Sequence, residues 1–301
     1  MQDSSLSIPA ASGSVFQPPA QTPTCFLLPL DEDGRLREFL TVAILNLGMS
    51  SAPATEYVDG PFMKPFYIAN EFADARLVSG ARIVVVTSTI SDPAVEEAGG
   101  LTEASRRLAQ AADLRGVATF LPSSAFSDNE EFEAALLGSI QWADLQHHSD
   151  ALPAYRKFHA LSMYDYGLPE CAGTWRLPVE TFLFDEKSKR SSPEPGILDI
   201  IGRPRYLVYG PYLWLPYGTW RVRAEIWVDQ EASLRRFRIE WGESVQFDHL
   251  TFIPGRPGRY AIELEHTWTG AMTAELKIVL TEGALAGRIG IDVVDLTLVS
   301  T

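Results

Sequence analysis

Hydrophobic and polar positions alternate with period two through the last third of the chain. In WRVRAEIWV, 220–228, Trp220, Val222, Ala224, Ile226 and Val228 fall on one face, and Arg221, Arg223, Glu225 and Trp227 on the other. Successive side chains of a strand point to opposite sides of its sheet, so this run predicts a half-buried strand. RRFRIEW, 235–241, repeats the arrangement, with Phe237, Ile239 and Trp241 inward and Arg236, Arg238 and Glu240 outward. RYAIELEHTW, 259–268, sets Tyr260, Ile262 and Leu264 against Glu263 and Glu265. With AELKIVL, IGIDVVDLTLV, RYLVYG and an early VETFLF, the count reaches about seven short strands separated by Gly, Pro or acidic turns. Two stacked antiparallel sheets, a β-sandwich of jelly-roll type, satisfy that pattern with the fewest exposed apolar faces.

The first half reads differently. ARIVVVTSTI, 81–90, is β-branched and apolar enough for a strand buried on both faces. LTEASRRLAQAADLRG follows with helical spacing, Thr102 as N-cap and Gly116 as stop, and VATFLP, 117–122, is a second buried strand. SDNEEFEAALLGSIQWADLQHH and RLREFLTVAILNL, the latter closed by Gly48, predict two more helices. Strands alternating with helices predict a mixed α/β layer. The expected class is therefore α+β overall, with a disordered tail over 1–30, a mixed α/β domain over 31–166, a linker or long loop containing a first strand over 167–196, and the sandwich over 197–301.

Composition narrows the partners. The chain has 301 residues, 46% hydrophobic, with a formal charge of -14. An acidic chain lacks the concentrated positive surface that nucleic acid or an anionic membrane demands, so neither partner is expected. No window approaches the length of a membrane span. MQDSSLSIPAASGS has no basic, apolar leader pattern, and the two cysteines, Cys25 and Cys171, make no disulfide framework. A reducing cytoplasm is the expected compartment, with Cys25 in a mobile Pro/Ser/Thr-rich segment.

Three motifs lie in the region 196–301: LPYGTWRVRAEIWV, a turn leading into a strand; PGRPGRY, a turn in mid-region; and IDVVDLTLV, a closing strand with an acid near its start. In their order they resemble the carbohydrate-binding β-sandwich modules of the jelly-roll type, over about a third of the chain. The resemblance implies a glycan ligand. In calcium-dependent members a carboxylate near the final strand helps to hold a structural ion, which implies Asp292 here, with Glu180 the nearest candidate for the acids near the module's start. GPYLWLPYGTW is also similar to segments that accompany bacterial polysaccharide-assembly proteins.

Candidate chemistry centres on aromatic rings. Alternation puts Trp227 among Arg221, Arg223 and Glu225, where a ring can stack on a sugar while its neighbours bind hydroxyls. The same ring could instead pack beneath the N-terminal domain. Tyr212, Trp214 and Tyr217 in YGPYLWLPYGTW either contact ligand or plug the core at the turn. Arg236, Arg238, Glu240, Glu263 and Glu265 line a polar groove or form a solvated sheet face. His147 and His148 end a predicted helix, where Asp144 and His148, four residues apart, have metal-compatible spacing without a third ligand, and His249 and His266 read as surface residues.

The chain carries no G-x-S-x-G, Walker, G-x-G-x-x-G, H-E-x-x-H or C-x-x-C motif. Non-catalytic glycan binding is the leading reading, beside polysaccharide assembly. A sugar- or nucleotide-sugar-processing enzyme is the alternative, with its site near Thr87, Ser88, Ser123 and Ser124 at the strand ends of the α/β layer. A third reading is an interaction scaffold whose aromatics are covered by a second copy or an enzyme partner.

Overall fold

The computed structural model describes residues 23–31, 35–46, 51–57, 66–78, 80–87, 99–114, 118–122, 159–164, 169, 172–185 and 196–301. Its first layer is a parallel sheet of β1 (Thr24–Leu27), β2 (Ser51–Pro53), β3 (Phe66–Ala69), β4 (Arg82–Thr87) and β5 (Ala118–Pro122), ordered β2-β3-β1-β4-β5. Among the described residues three helices accompany it: α1 (Arg35–Asn46), α2 (Phe72–Ala75) and α3 (Leu101–Ala112).

The central strand is β1, which corrects the expectation of a disordered tail reaching residue 30. Cys25 and Phe26 are fully buried, and Cys25 is not a mobile thiol: burial and the nearby Asp74 charge push it up to about 12. TCFL is too short for its own periodicity to show, yet three apolar side chains and Thr24, all buried between two parallel partners, suffice to order it. Leu40 and Ile44 of α1 cover one face of the sheet, with Phe26, Phe66, Ile68, Val84 and Val86 beneath them. On the other face Cys25, Leu27, Tyr67 and Val85 meet Ala75 of α2 and Ala111 of α3.

Helix α3 begins after Gly100, whose φ of 96° favours glycine, so Gly100 and not Thr102 stands at the N-cap. Thr102 lies inside the first turn, and its carbonyl accepts the Ser105 hydroxyl. The helix serves two layers. Ala111 joins the core of the parallel sheet, whereas Ala104, Leu108, Ala109 and Ala112 join the core of the sandwich. So many alanines let the backbone approach both neighbours closely.

Two antiparallel sheets form the sandwich. Sheet I contains β6 (Thr174–Leu177), β8 (Ile197–Asp199), β10 (Gly218–Val228), β13 (Gly258–Trp268) and β15 (Arg288–Ser300), ordered β13-β10-β15-β6, with β8 also paired to β15. Sheet II contains β7 (Leu183–Phe184), β9 (Arg205–Leu215), β11 (Phe237–Gly242), β12 (Phe247–Phe252) and β14 (Met272–Leu280), ordered β12-β11-β14-β9-β7. From β6 to β15 consecutive strands alternate between the sheets, except for the β11–β12 hairpin, which lies wholly in sheet II. The segment 167–196 is thus more than a linker, because β6 and β7 within it belong to the sandwich.

Every second residue of β10 is buried, as the alternation predicts. Trp220, Trp241 and Trp268 fill the space between the sheets. The Trp241 indole donates to the Trp220 carbonyl at 3.1 Å and stands edge-on to Trp268 with centroids 5.2 Å apart. A buried indole N–H needs such a partner to avoid the cost of desolvation.

Candidate functional site

The residues singled out from sequence divide among three places. Arg221, Arg223, Glu225 and Trp227 lie on the outer face of sheet I. There the charges form a lattice within and across strands: Arg223 pairs with Glu225 of its own strand at 2.7 Å, while Arg221 pairs with Glu265 at 2.6 Å and Arg176 with Asp295 at 3.0 Å between strands. Arg176 is held firmly protonated by the Asp295 hydrogen bond and charge. Trp227 closes one end of this face, half-buried rather than standing free, opposite Arg259 on β13 and Gly290 on β15. Its ring lies over Gly290, 3.7 Å from where a Cβ would stand, an ordinary contact distance.

Trp214 and Tyr217 lie at the seam with α3. The Trp214 N–H donates to the Ser105 hydroxyl at 3.0 Å, and the Tyr164 hydroxyl donates to the Trp214 carbonyl at 2.8 Å. Tyr217 donates its N–H to Asp113 at 2.7 Å, and the same carboxylate also accepts from the Ala271 N–H. These two residues therefore fasten the sandwich to the first layer, and only Tyr217 keeps an exposed ring, 53% accessible.

Tyr212 belongs to a third place, the outer face of sheet II. Two irregularities of register in β9 put Leu207 and Tyr212 outside the regular pairing with β14. Tyr206 and Tyr209, three residues apart, consequently pair with Val279 and Lys277, which share one face of β14. Tyr212 holds a φ of 60°, uncommon for a bulky side chain, and its hydroxyl hydrogen-bonds to Glu275 on that same face. Burial, followed by that carboxylate, pushes the phenol up to about 12, so it stays a donor.

Down the middle of the face runs a set of charges. Glu275 grips the Lys277 ammonium at 2.9 Å, and the ammonium lies 3.8 Å from the Phe247 ring centroid and 5.9 Å from that of Tyr206. Glu240 stands across from Lys277 and is held by Arg238 at 2.6 Å. Glu240 and Glu275 are only 8% and 7% accessible, so these carboxylates are fixed by their partners in a shielded setting. Shielded, hydrogen-bonded charges flanked by rings form a surface whose donors and acceptors need little reorganisation to meet a ligand.

The outward charges that sequence placed in one groove are split. Arg238 and Glu240 are in sheet II, whereas Glu263 and Glu265 are in sheet I, because β11 and β13 enter different sheets. His266 is not a surface residue. Its Nδ1 lies 2.8 Å from Asp248, and its ring stands edge-on to Trp268 at 4.7 Å.

Asp292 occupies a bulge of β15, where the pairing with β10 passes from Ile291 to Val293. Its carboxylate is ion-paired with Arg259, and it shares a cavity wall with Glu180. Among the described residues, no three His, Cys, Asp or Glu side chains come together to hold a metal ion. Asp144, His147, His148, Ser88, Ser123 and Ser124 lie outside the described residues, as does the side chain of Thr87. Among the described residues no helix is long and apolar enough to cross a membrane.

No family model matches the chain, and no curated protein matches it. Solved structures similar in part include a family 61 carbohydrate-binding module in complex with β-1,4-galactotriose (10% identity, 48% of this chain, 97% of that one, TM-score 0.28). A xylan-binding module of family 15 matches at 11% identity over 42% of this chain and 97% of its own, with TM-score 0.31. An adhesin domain of Lys-gingipain from Porphyromonas gingivalis matches at 11% identity over 42% of this chain and 99% of its own, with TM-score 0.30. At such scores the likeness carries no conclusion about function.

Proposed function

We propose that the protein binds glycans without chemical turnover, and that the outer face of sheet II is its binding surface. One observation carries the reading: Tyr206, Tyr209 and Tyr212 of a single strand, with Phe247 across the sheet, flank the fixed Arg238–Glu240 and Lys277–Glu275 pairs. A pyranose ring offers an apolar C–H face and a rim of hydroxyls. The first suits a phenol ring, and the second suits charges already held in place. The face runs along strands of six to eleven residues, which suits a run of sugar units more than an isolated one. Extended ligands of this sort are polysaccharides and their assembly intermediates, the setting that the sequence resemblance implies. With a formal charge of -14, the chain favours neutral or amine-bearing glycans over uronate-rich ones.

Tyr206→Ala is expected to weaken binding of a matching oligosaccharide about tenfold, the loss of one stacked ring, whereas Trp227→Ala leaves it unchanged. Isothermal titration against hits from a glycan array reads both. The opposite ranking of the two variants would move the site to sheet I and overturn this assignment.

The donor set at Asp292 does not fit a calcium cage, since its carboxylate is already engaged by Arg259 and brings only Glu180 beside it. Added calcium is therefore expected to leave the melting temperature unchanged, and chelator likewise. A rise on adding calcium would show that Arg259 yields its place to the ion.

A further inference from the structure

Strand β15 takes two partners along one edge. Its residues Arg288–Gly290 pair with β8 and Val294–Thr297 pair with β6; Ile291 still donates its N–H to the Gly196 carbonyl just before β8, so Asp292 and Val293 lie beside neither strand. Asp292, the bulged residue, stands in that gap. The chain leaving β6 turns through Pro178 into a short 3-10 segment, Val179–Thr181, and a cavity of about 570 Å³ remains between the turn and the bulge.

The walls differ in chemistry. One is apolar, made by Pro178 and Val179; Trp175 also borders the cavity, but its ring is turned to the inner face of sheet I, against the core Trp220 with centroids 5.9 Å apart. The other carries Arg176, Glu180 and Asp292. Arg176 is held by Asp295 and Asp292 by Arg259, so a donor and an acceptor are fixed in place. Glu180 is an exposed carboxylate on the turn. The volume falls in the range of small-molecule sites and holds one or two hexose rings, not an extended chain.

We propose that this cavity is a second binding site, which takes a single polyhydroxylated ring, a free hexose or hexosamine or the terminal unit of a glycan. The ring's C–H side lies on Pro178 and Val179, and its hydroxyls donate to Glu180 and Asp292 and accept from Arg176. An ammonium on the ring would gain from the same two carboxylates. The cavity and the sheet II face are separate surfaces built on different sheets, so an end could be read at one and a run of units at the other. The choice of a sugar as ligand rests on the glycan reading; the existence of the site does not.

The test uses the full chain and a panel of methyl hexosides and methyl hexosaminides, followed by tryptophan emission and saturation-transfer NMR. Saturable binding of at least one panel member is expected. Glu180→Ala and, separately, Asp292→Asn should weaken it about 10- to 100-fold, the cost of losing a hydrogen bond to a charged group. Tyr206→Ala should leave it unaltered. Both cavity variants change exposed side chains, and unchanged melting would show that folding is intact. Absence of binding by the whole panel overturns the proposal, as does binding that ignores Glu180 and Asp292. Loss of oligosaccharide binding to the face with monosaccharide binding retained would sink the sheet II assignment and leave this one standing.

Discussion

Replacing Asp113 with alanine is expected to destabilise the chain by about 1–3 kcal/mol, because one part-buried and one exposed backbone N–H would lose their acceptor together. Asp113 follows α3 and receives the N–H of Tyr217 from one sandwich turn and that of Ala271 from another. The Ala271 N–H is the more costly of the two to strand, because the Tyr217 N–H lies at the surface beside a small cavity that it lines with Asp113. The measurement is the midpoint of chemical denaturation, followed by tryptophan emission from the sandwich. A wild-type midpoint in the variant would show that the seam is held by packing alone.

The same carboxyl adds a pH dependence. Burial raises its pKa from the ordinary 3.8, and the two N–H donors only partly oppose that shift. A raised acid binds its proton more tightly in the folded state, so its contribution to stability is greatest at low pH. It falls as pH rises from 3.8 through the folded value. Comparison of wild type with Asp113→Asn across that window should show the wild type losing ground as pH rises.

Gly242→Ala is expected to cost about 3 kcal/mol or more, since the new methyl has no free volume to enter. A Cβ at this position runs into the Gln246 carbonyl oxygen and comes within 2.9 Å of the Phe247 Cα. Neither atom belongs to a side chain that could swing aside. The hairpin closed by the Glu243 N–H to the Gln246 carbonyl at 2.9 Å would have to open. Phe247 would then leave Lys277, so glycan binding should fall along with stability. Thermal melting and titration on the same sample check both, and an alanine variant with native stability would show that the hairpin relaxes freely.

Much of the sandwich was legible because strand alternation is local. Trp220 inward and Trp227 outward follow from nine consecutive residues, and the structure agrees at every position of β10. Sheet membership is not local. Nothing in RRFRIEW or RYAIELEHTW states that one joins sheet II and the other sheet I, so their charges looked like neighbours. The tyrosine face was hidden for a related reason. Tyr206, Tyr209 and Tyr212 repeat every three residues, which contradicts strand periodicity until the irregularities at Leu207 and Tyr212 reset it. A run of tyrosines at that spacing within an apolar segment is the signal that could have revealed it.

The buried β1 was missed because its neighbours are Pro, Ser and Gln, and composition averaged over a window outweighs four residues. Trp214 and Tyr217 show the converse. Their type drew attention as ligand contacts, but what α3 uses of them is chiefly the backbone amide, which any residue would supply.

The pairing of β6 with β15 and of β7 with β9 has a consequence for where this sandwich begins. The composition shift near residue 196 suggests a natural place to cut, yet a fragment starting there would lack both strands. It would carry bare rows of backbone N–H and C=O groups along Val294–Thr297 and at Val208 and Tyr209. Such rows are templates for a foreign strand. The unit that keeps its edges covered starts before Thr174, and the stretch that looks like a spacer is crossed by the fold rather than separating two folds.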